Sequence, residues 1–543
     1  MNKMTPASAA CALVAVCGMI FLTLHAYVKE HIYEGLLVQG CDSFGYFRMA
    51  NVIHDARRSG TKPDFFIHDA ETRWIISKFK ENKIPVESWS DVVTAHAHHY
   101  FPGTDQVGPQ YPPGTGWILS WFRADTSVRK LDRLTIACVV AVGILLVLWC
   151  AMRGLAMSSL VIAVAVWAFL FPYGFLGPSS YSINASILPI FMGTLLAWIA
   201  AERRDGRGAM ALGLCAGLYI GLGVQTRIAS IFLVPAAAFL FWPGGMRGLA
   251  GFLAGVCVDG ILPLLLHNKT ITGSFLGATY TGGDEQQTLG AFYKNSLFYF
   301  DHATESLGYH LLGLFLATLC LTAIIFATTS VAGENWKAWR KAHHGMAWAP
   351  GCAFVLTLAF FLTHSVQIHY YLIPGMLQTC LFLALLFVSM EMQWQKTARE
   401  SGACGIAFNA FAAICVVAGI TALAFTRTAV RETAMDAFTL KDTPAPTLAV
   451  PGPMLGQNAW IWADNYSGSI VYYTGHAAFK LPFSSPEIRQ MMYQWIQVNG
   501  YSQYMVMDSD TMKELIAEAR TLGWQFSPAG SIREAPCYKM ERL

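Results

Sequence analysis

Few residues in this chain combine the type and the setting needed for chemistry, and Asp42 is the first of them. It stands in Gly40-Cys41-Asp42-Ser43-Phe44-Gly45-Tyr46-Phe47-Arg48-Met49-Ala50, a short way past an apolar run from Ala7 to Val28. A carboxylate just outside a membrane, among aromatic residues and glycine, is partly desolvated. Desolvation raises its pKa toward the range of a general base. The competing reading is a solvated loop carboxylate.

Other candidates follow along the chain. Gln110-Tyr111-Pro112-Pro113-Gly114 is a helix entry fixed by two prolines, able to place Tyr111 beside Asp42 or simply to start a helix. Gly177-Pro178-Ser179-Ser180-Tyr181-Ser182-Ile183-Asn184 offers hydroxyls and an amide suited to a sugar, or ordinary helix caps. Arg227 interrupts an apolar hairpin and has the planar fork that suits phosphate. Lys269, Lys294, Arg123 and Arg129 are secondary cations, read as headgroup contacts or solvated charges. His96, His98 and His99 are read as exposed loop histidines, because no carboxylate or cysteine stands at a metal-site offset. The same holds for His267, His364 and His369. No obligatory metal is expected. Asp259, inside an apolar run, is read as structural.

What must position these groups is a membrane-embedded helix bundle. Of 543 residues, 54% are hydrophobic and only 13% charged, about half the charge of a soluble domain. A net charge of +3 with no basic tail argues against a nucleic-acid partner. Most cysteines lie in apolar runs and no C-x-x-C pair occurs, so no disulfide framework is indicated. A crossing takes roughly 20 apolar residues. Eleven segments qualify as candidates: 7–28, 134–152, 156–172, 184–201, 209–224, 228–242, 246–266, 309–328, 347–364, 370–390 and 404–425. The first is read as a retained helix. A charge in mid-span costs several kcal/mol, so the hairpin is expected to break at Arg227.

Lys and Arg in the short connections set the orientation. With the first terminus in the cytoplasm, the inner side receives Lys3, Arg153, Arg203, Arg204, Arg207, Arg247, Lys337, Arg340, Lys341, Lys396 and Arg399. The outer side receives Arg227, Lys269, Lys294, Lys29, Arg427 and Arg431. Segment 29–133, the loops 173–183, 267–308 and 365–369, and the tail then face outward. Within 29–133, amphipathic pieces run Phe44 to Arg57, Glu71 to Glu81 and Pro112 to Phe122. The last carries Trp117 and Trp121 and is expected to lie along the membrane surface. Residues 1–425 form the membrane domain and 426–446 a linker. Residues 447–543 form a small α/β domain, with strands at 448–450, 459–463 and 504–507 and helices at 487–498 and 510–522, the last capped by Asp510.

The order of these features resembles the GT-C superfamily of polyprenyl-phosphate-sugar glycosyltransferases. The likeness is greatest to the bacterial branch related to protein O-mannosyltransferases and the aminoarabinose transferase of lipid A. It rests on Asp42-x-x-x-Tyr46, Tyr111-Pro112-Pro113-Gly114, Ser180 to Asn184, the Gly-rich hairpin ending in Thr226-Arg227, and Asn268 through Gly273-Ser274-Phe275 with Tyr280 beyond. The run from Asp464-Asn465-Tyr466 to Tyr473-Thr474-Gly475 resembles the outer domain of many members. The resemblance implies a GT-C fold and a sugar moved from a polyprenyl-phosphate donor to a cell-envelope acceptor, with inversion, on the outer face of the inner membrane. Asp42 would be the general base and Arg227 the group stabilising the leaving phosphate. Tyr46, Tyr111, Tyr181, Asn184, Lys269 and Tyr280 would contact substrate. The chain departs from the pattern at Asn184, where several relatives have a second acid, and at Tyr111, where a charged residue often precedes the proline pair.

A transporter or flippase of a lipid-linked glycan precursor is the main rival reading. Transporters usually show repeated halves and polar midplane helices. Neither is visible here. A noncatalytic assembly scaffold is the third reading.

Overall fold

Apolar runs of membrane length become helices because a helix satisfies its backbone groups internally where no water can. The computed structural model describes residues 4–30, 40–121, 127–175, 181–203, 206–242, 244–279, 289–300, 334–364, 369–401, 458–482, 484–532 and 535–542. The first part runs α1 (Pro6–Glu30), α2 (Gly40–Ser59), α3 (Ala70–Glu81), a hairpin of β1 (His98–Phe101) and β2 (Gln106–Pro109), and α4 (Gly114–Leu119). The bundle helices follow: α5 (Ser127–Met152), α6 (Ala156–Phe175), α7 (Tyr181–Glu202), α8 (Arg207–Thr226), α9 (Leu233–Phe239), α10 (Met246–Val256) and α11 (Leu262–Thr272). After them come α12 (Leu289–Phe300), α13 (Glu334–Ala342), α14 (His344–Thr363) and α15 (Ile373–Ser401).

Six helices among the described residues are long and apolar enough to cross a membrane: Leu131–Met152, Ser182–Glu202, Arg207–Thr226, Met246–Thr272, His344–Thr363 and Ile373–Lys396. They coincide with six of the eleven expected segments. Segments 7–28 and 156–172 lie on α1 and α6, and 228–242 coincides with the short apolar stretch Ile228–Phe239. Segments 309–328 and 404–425 lie outside the described residues. The break at Arg227 is present: α8 ends there in extended backbone, φ −153°, before a 3₁₀ turn leads into α9. A π turn, Cys257–Ile261, joins α10 to α11 in one continuous rod.

The Gly-rich hairpin has a packing cause. Gly213, Gly217 and Gly221 recur every four residues on α8, and small residues at that spacing let helix backbones touch. A Cβ on Gly217 would lie 2.0 Å from the Phe252 carbonyl oxygen, and one on Gly213 would lie 2.2 Å from that of Gly248. The reciprocal positions on α10 are equally tight, Gly251 against Met210 and Gly255 against Leu214. Elsewhere in the bundle the buried Glu391 of α15 accepts the Ser158 N–H at 2.7 Å and the Met157 N–H at 3.3 Å. It thereby satisfies amides that the first turn of α6 leaves open.

The C-terminal part carries β3 (Ala459–Ala463), α16 (Ser467–Thr474), β4 (Ala478–Lys480), α17 (Pro486–Val498), β5 (Ser502–Val506), α18 (Asp510–Thr521), β6 (Trp524–Ile532) and β7 (Ala535–Arg542). Its sheet has the order β4-β3-β5-β7-β6. The first three strands are parallel, and β7 and β6 add antiparallel. The expected strand at 448–450 lies outside the described residues. The N-cap of α18 is Ser509, whose hydroxyl accepts from the Met512 N–H, and this corrects the assignment to Asp510. Asp510 is the first helical residue, where the helix dipole favours a carboxylate.

The sheet shares one core with the segment before α4. Trp460 stacks on Phe479 at 3.8 Å and meets Trp74 of α3 at 5.9 Å, while Phe79 of α3 packs edge-on against Trp495 at 5.3 Å. Two chain segments in one hydrophobic core lie on the same side of any membrane the helices between them cross. Near the bundle, Arg57 lies over Trp117 and Trp121, at 4.8 Å and 4.3 Å from the ring centroids. Trp121 is 76% exposed. An exposed indole pair bracketing a cation suits the headgroup layer.

Substituting Gly217→Leu forces α8 off α10. Because only backbone lies in the way, the expected loss is about 3 kcal/mol or more. It would be read as a lower thermal midpoint of the detergent-solubilised protein, whereas Gly290→Leu, whose Cβ meets nothing within 4 Å, leaves the midpoint in place.

Candidate functional site

The site is built around the first turns of α2, which include the backbone of Asp42. The side chains of Asp42 and Tyr181, and the whole of Tyr280, lie outside the described residues. Tyr46, one turn beyond Asp42, is buried with its ring 4.7 Å from that of Tyr111. Gly45 exists for the same contact: a Cβ there would meet the Ala97 Cβ at 2.6 Å and the Tyr111 ring at 2.9 Å. The Tyr111 hydroxyl accepts from Gln110 Nε2 at 2.7 Å.

The proline pair then carries the chain to α8. A Cβ on Gly114 would lie 2.5 Å from the Gln225 carbonyl carbon and 2.6 Å from the Thr226 nitrogen. Thr115 Oγ1 donates to the Thr226 carbonyl at 3.4 Å. A single short segment, 111–115, thus links the helix bearing Asp42 to the end of α8, where Arg227 stands. Gln225 also reaches the π turn, donating to Asp259 Oδ1 at 3.3 Å. Asp259 is therefore tied into helix packing, as expected.

Arg227 lies over Tyr371, 4.1 Å from the ring centroid, and 5.8 Å from the Phe361 ring. Its Nε is buried without a hydrogen-bond partner, and no carboxylate among the described residues pairs with the guanidinium. The turn holding Phe361 is fixed by Asn295 of α12, whose amide donates to the carbonyls of Phe361 and Leu362, both at 3.0 Å, and to that of His364. An aromatic-backed cation with donors left over is suited to an anion. Tyr371 and Asn295 gave no sequence signal, since neither stands near Arg227 in the chain.

Ala185, beside Asn184, packs in the same buried cluster as Tyr46 and Tyr111. Asn184 is buried in the first turn of α7. Lys269 is turned to the end of α11, where its Nζ donates to the Gly273 carbonyl at 2.6 Å. Among the described residues no group of three or more His, Cys, Asp or Glu side chains is placed to hold a metal.

The reading of His96, His98 and His99 as exposed loop histidines is overturned. His98 and His99 are buried, and His96 is nearly so, because the loop is covered by the C-terminal domain. His96 Nε2 donates to Asp464 at 3.1 Å, its backbone N–H donates to Ser467 Oγ at 3.1 Å, and His99 pairs with Asp91. The Lys480 backbone N–H donates to the Thr94 carbonyl at 3.3 Å, and Lys480 Nζ donates to that of His98 at 3.4 Å. Asp508 closes the turn before α16 by accepting from the backbone N–H groups of Asp464 at 3.1 Å and Tyr466 at 2.6 Å.

Burial dominates the titration of this cluster. It lowers His96 to about 4, against the opposing bond from Asp464, and lowers His98 and His99 as well. It raises Asp508 to about 6. Burial also opposes ionisation of Asp464, yet the hydrogen bond from His96 and the bond to Ser509 keep that acid below the usual range.

The three histidines are held neutral, so the unfolded chain takes up protons first as pH falls below the ordinary value of about 6.5. Their contribution is present above that pH and is lost as the pH falls, that of His96 down to about 4. Asp508 acts in the opposite sense, favouring the folded state as pH falls through about 6. The histidines outnumber it. Lowering the pH from 7 to 5 should therefore weaken the C-terminal contact, measurable as faster amide exchange in 94–100 and 464–474. Asp508→Asn should steepen that loss, and His96→Asn should flatten it. No family model, curated protein or solved structure matches this chain.

Proposed function

We propose that the chain is a membrane glycosyltransferase of the GT-C type, with eleven spans, that moves a sugar from a polyprenyl-phosphate donor to a cell-envelope acceptor. The acceptor class comprises glycolipids, polysaccharides and proteins. The reaction takes place on the extracytoplasmic face of the inner membrane. Asp42 removes the proton from the acceptor hydroxyl or amine, which attacks the anomeric carbon with inversion. The polyprenyl phosphate leaves, and Arg227 offsets its charge.

The observation that carries this reading is the link between two groups 185 positions apart in the sequence. Tyr111 packs on the α2 turn after Asp42, and Gly114 packs on the residues just before Arg227. The helix end that carries Asp42 and the end of α8, where Arg227 stands, thus meet the same five-residue segment. The end of a membrane-length helix is where the headgroup of a lipid-linked donor would be. Proton transfer by one positioned carboxylate contributes about 10²–10⁴-fold.

The test uses purified protein in lipid nanodiscs with membrane-extracted polyprenyl-phosphate sugars and envelope acceptors. Asp42→Asn should cut transfer by about 10²-fold or more while the protein still elutes as a folded species. Arg227→Lys keeps the charge but loses the fork, and should reduce transfer by about tenfold. Full transfer by Asp42→Asn would sink the assignment. Movement of the lipid-linked sugar across the bilayer with no new glycosidic bond would favour the transporter.

A further inference from the structure

The C-terminal domain touches α2 directly. A Cβ on Gly468, the second residue of α16, would lie 2.5 Å from the Phe44 Cβ and 2.9 Å from its Cγ. One turn further along each helix, the Tyr472 ring faces that of Phe47 at 6.1 Å. Phe44 and Phe47 are 3% and 0% exposed. The contact closes through the loop before β1: Ala97 fills the space at Gly45, and His96 is bonded to Ser467 and Asp464 on the α16 side. The Phe44 ring also meets His98 at 5.2 Å.

Phe44 and Phe47 are gripped from the C-terminal domain, and Gly45 and Tyr46 from the Tyr111 side. Asp42 lies two residues before the first of these contacts, in the opening turn of α2. Opening turns lack internal partners for their first amides, and helix ends unfold at little cost unless something holds them. What holds this one is α16, together with Tyr111.

We propose that α16 is a positioning element for the reaction: its packing on Phe44 and Phe47 fixes the opening turn of α2, and with it Asp42, in register for proton transfer. The proposal rests on the glycosyltransferase reading given above. It makes the C-terminal domain part of the working site through contact with its supporting helix.

The experiment uses the full-length protein in nanodiscs and pairs hydrogen–deuterium exchange with steady-state transfer. In Gly468→Ala the added methyl meets Phe44, and in Tyr472→Ala the Phe47 contact is lost with the backbone path left clear. Both variants should exchange about tenfold faster across 40–50, with β3 and β5 as protected as in the wild type. Both should lower kcat by about tenfold and leave the donor KM within about twofold, because donor binding rests on the Arg227 side. Tyr472→Phe, which keeps the ring, should behave as wild type.

Unchanged exchange at 40–50 in both alanine variants overturns the proposal, as does faster exchange with kcat intact. Loss of protection in β3 and β5 in both variants also overturns it, since α16 would then be part of the domain's own fold. If the wild type forms no glycosidic bond, the glycosyltransferase reading fails. The grip on α2 is then decided by exchange alone, and only the role in proton transfer is lost.

Discussion

The rest of the site depends on the close packing of α2 in a three-sided seat. Gly45 is against Ala97 and Tyr111, Tyr46 is on Tyr111, and Phe44 is on Gly468. None of these contacts tolerates another methyl group without movement of a neighbour. Interiors are packed to near-crystal density, so such contacts fix position as well as contribute stability. A helix end that would otherwise fray is followed at once by contacts on three sides.

The same economy of space recurs in the bundle. Glycines on α8 and α10 bring two backbones together, and the end of α8 is thereby set relative to the π turn that carries Asp259. Pro112 and Pro113 then bring Gly114 onto that end. Arg227 falls where α8 must stop, because a guanidinium in mid-span is costly, and its Tyr371 neighbour gives it an aromatic face without neutralising it. The cation's place at the end of the span and its availability to an anion thus have a common cause.

The histidine cluster shows how the C-terminal domain and the segment before α4 are joined. A loop of three histidines would be solvated if it were alone, and it is buried because the C-terminal sheet, Asp464 and Lys480 cover it. Burial keeps the rings neutral, and the His96 bond to Asp464 and the His99–Asp91 pair replace part of the lost water. The contact between the C-terminal domain and the segment before α4 is therefore polar at the histidines and apolar at Trp74, Phe79 and Trp460.

Local pattern determined much of this protein. Apolar runs marked the bundle, and six of them are helices of membrane length among the described residues. A mid-span arginine marked the break after α8, and period and capping signals placed α3, α17, α18, β3 and β5 within a few residues. These features depend on neighbours a few positions apart, so the sequence carries them directly. Tertiary structure decided the rest. Burial of the histidines, the cap at Ser509 in place of Asp510, Asn295 beneath the Arg227 turn and Gly468 against Phe44 depend on backbone geometry or on residues distant in the chain. A histidine or glycine has the same local signature whether solvated or enclosed, and only the packing of remote segments removes the water that separates the two cases.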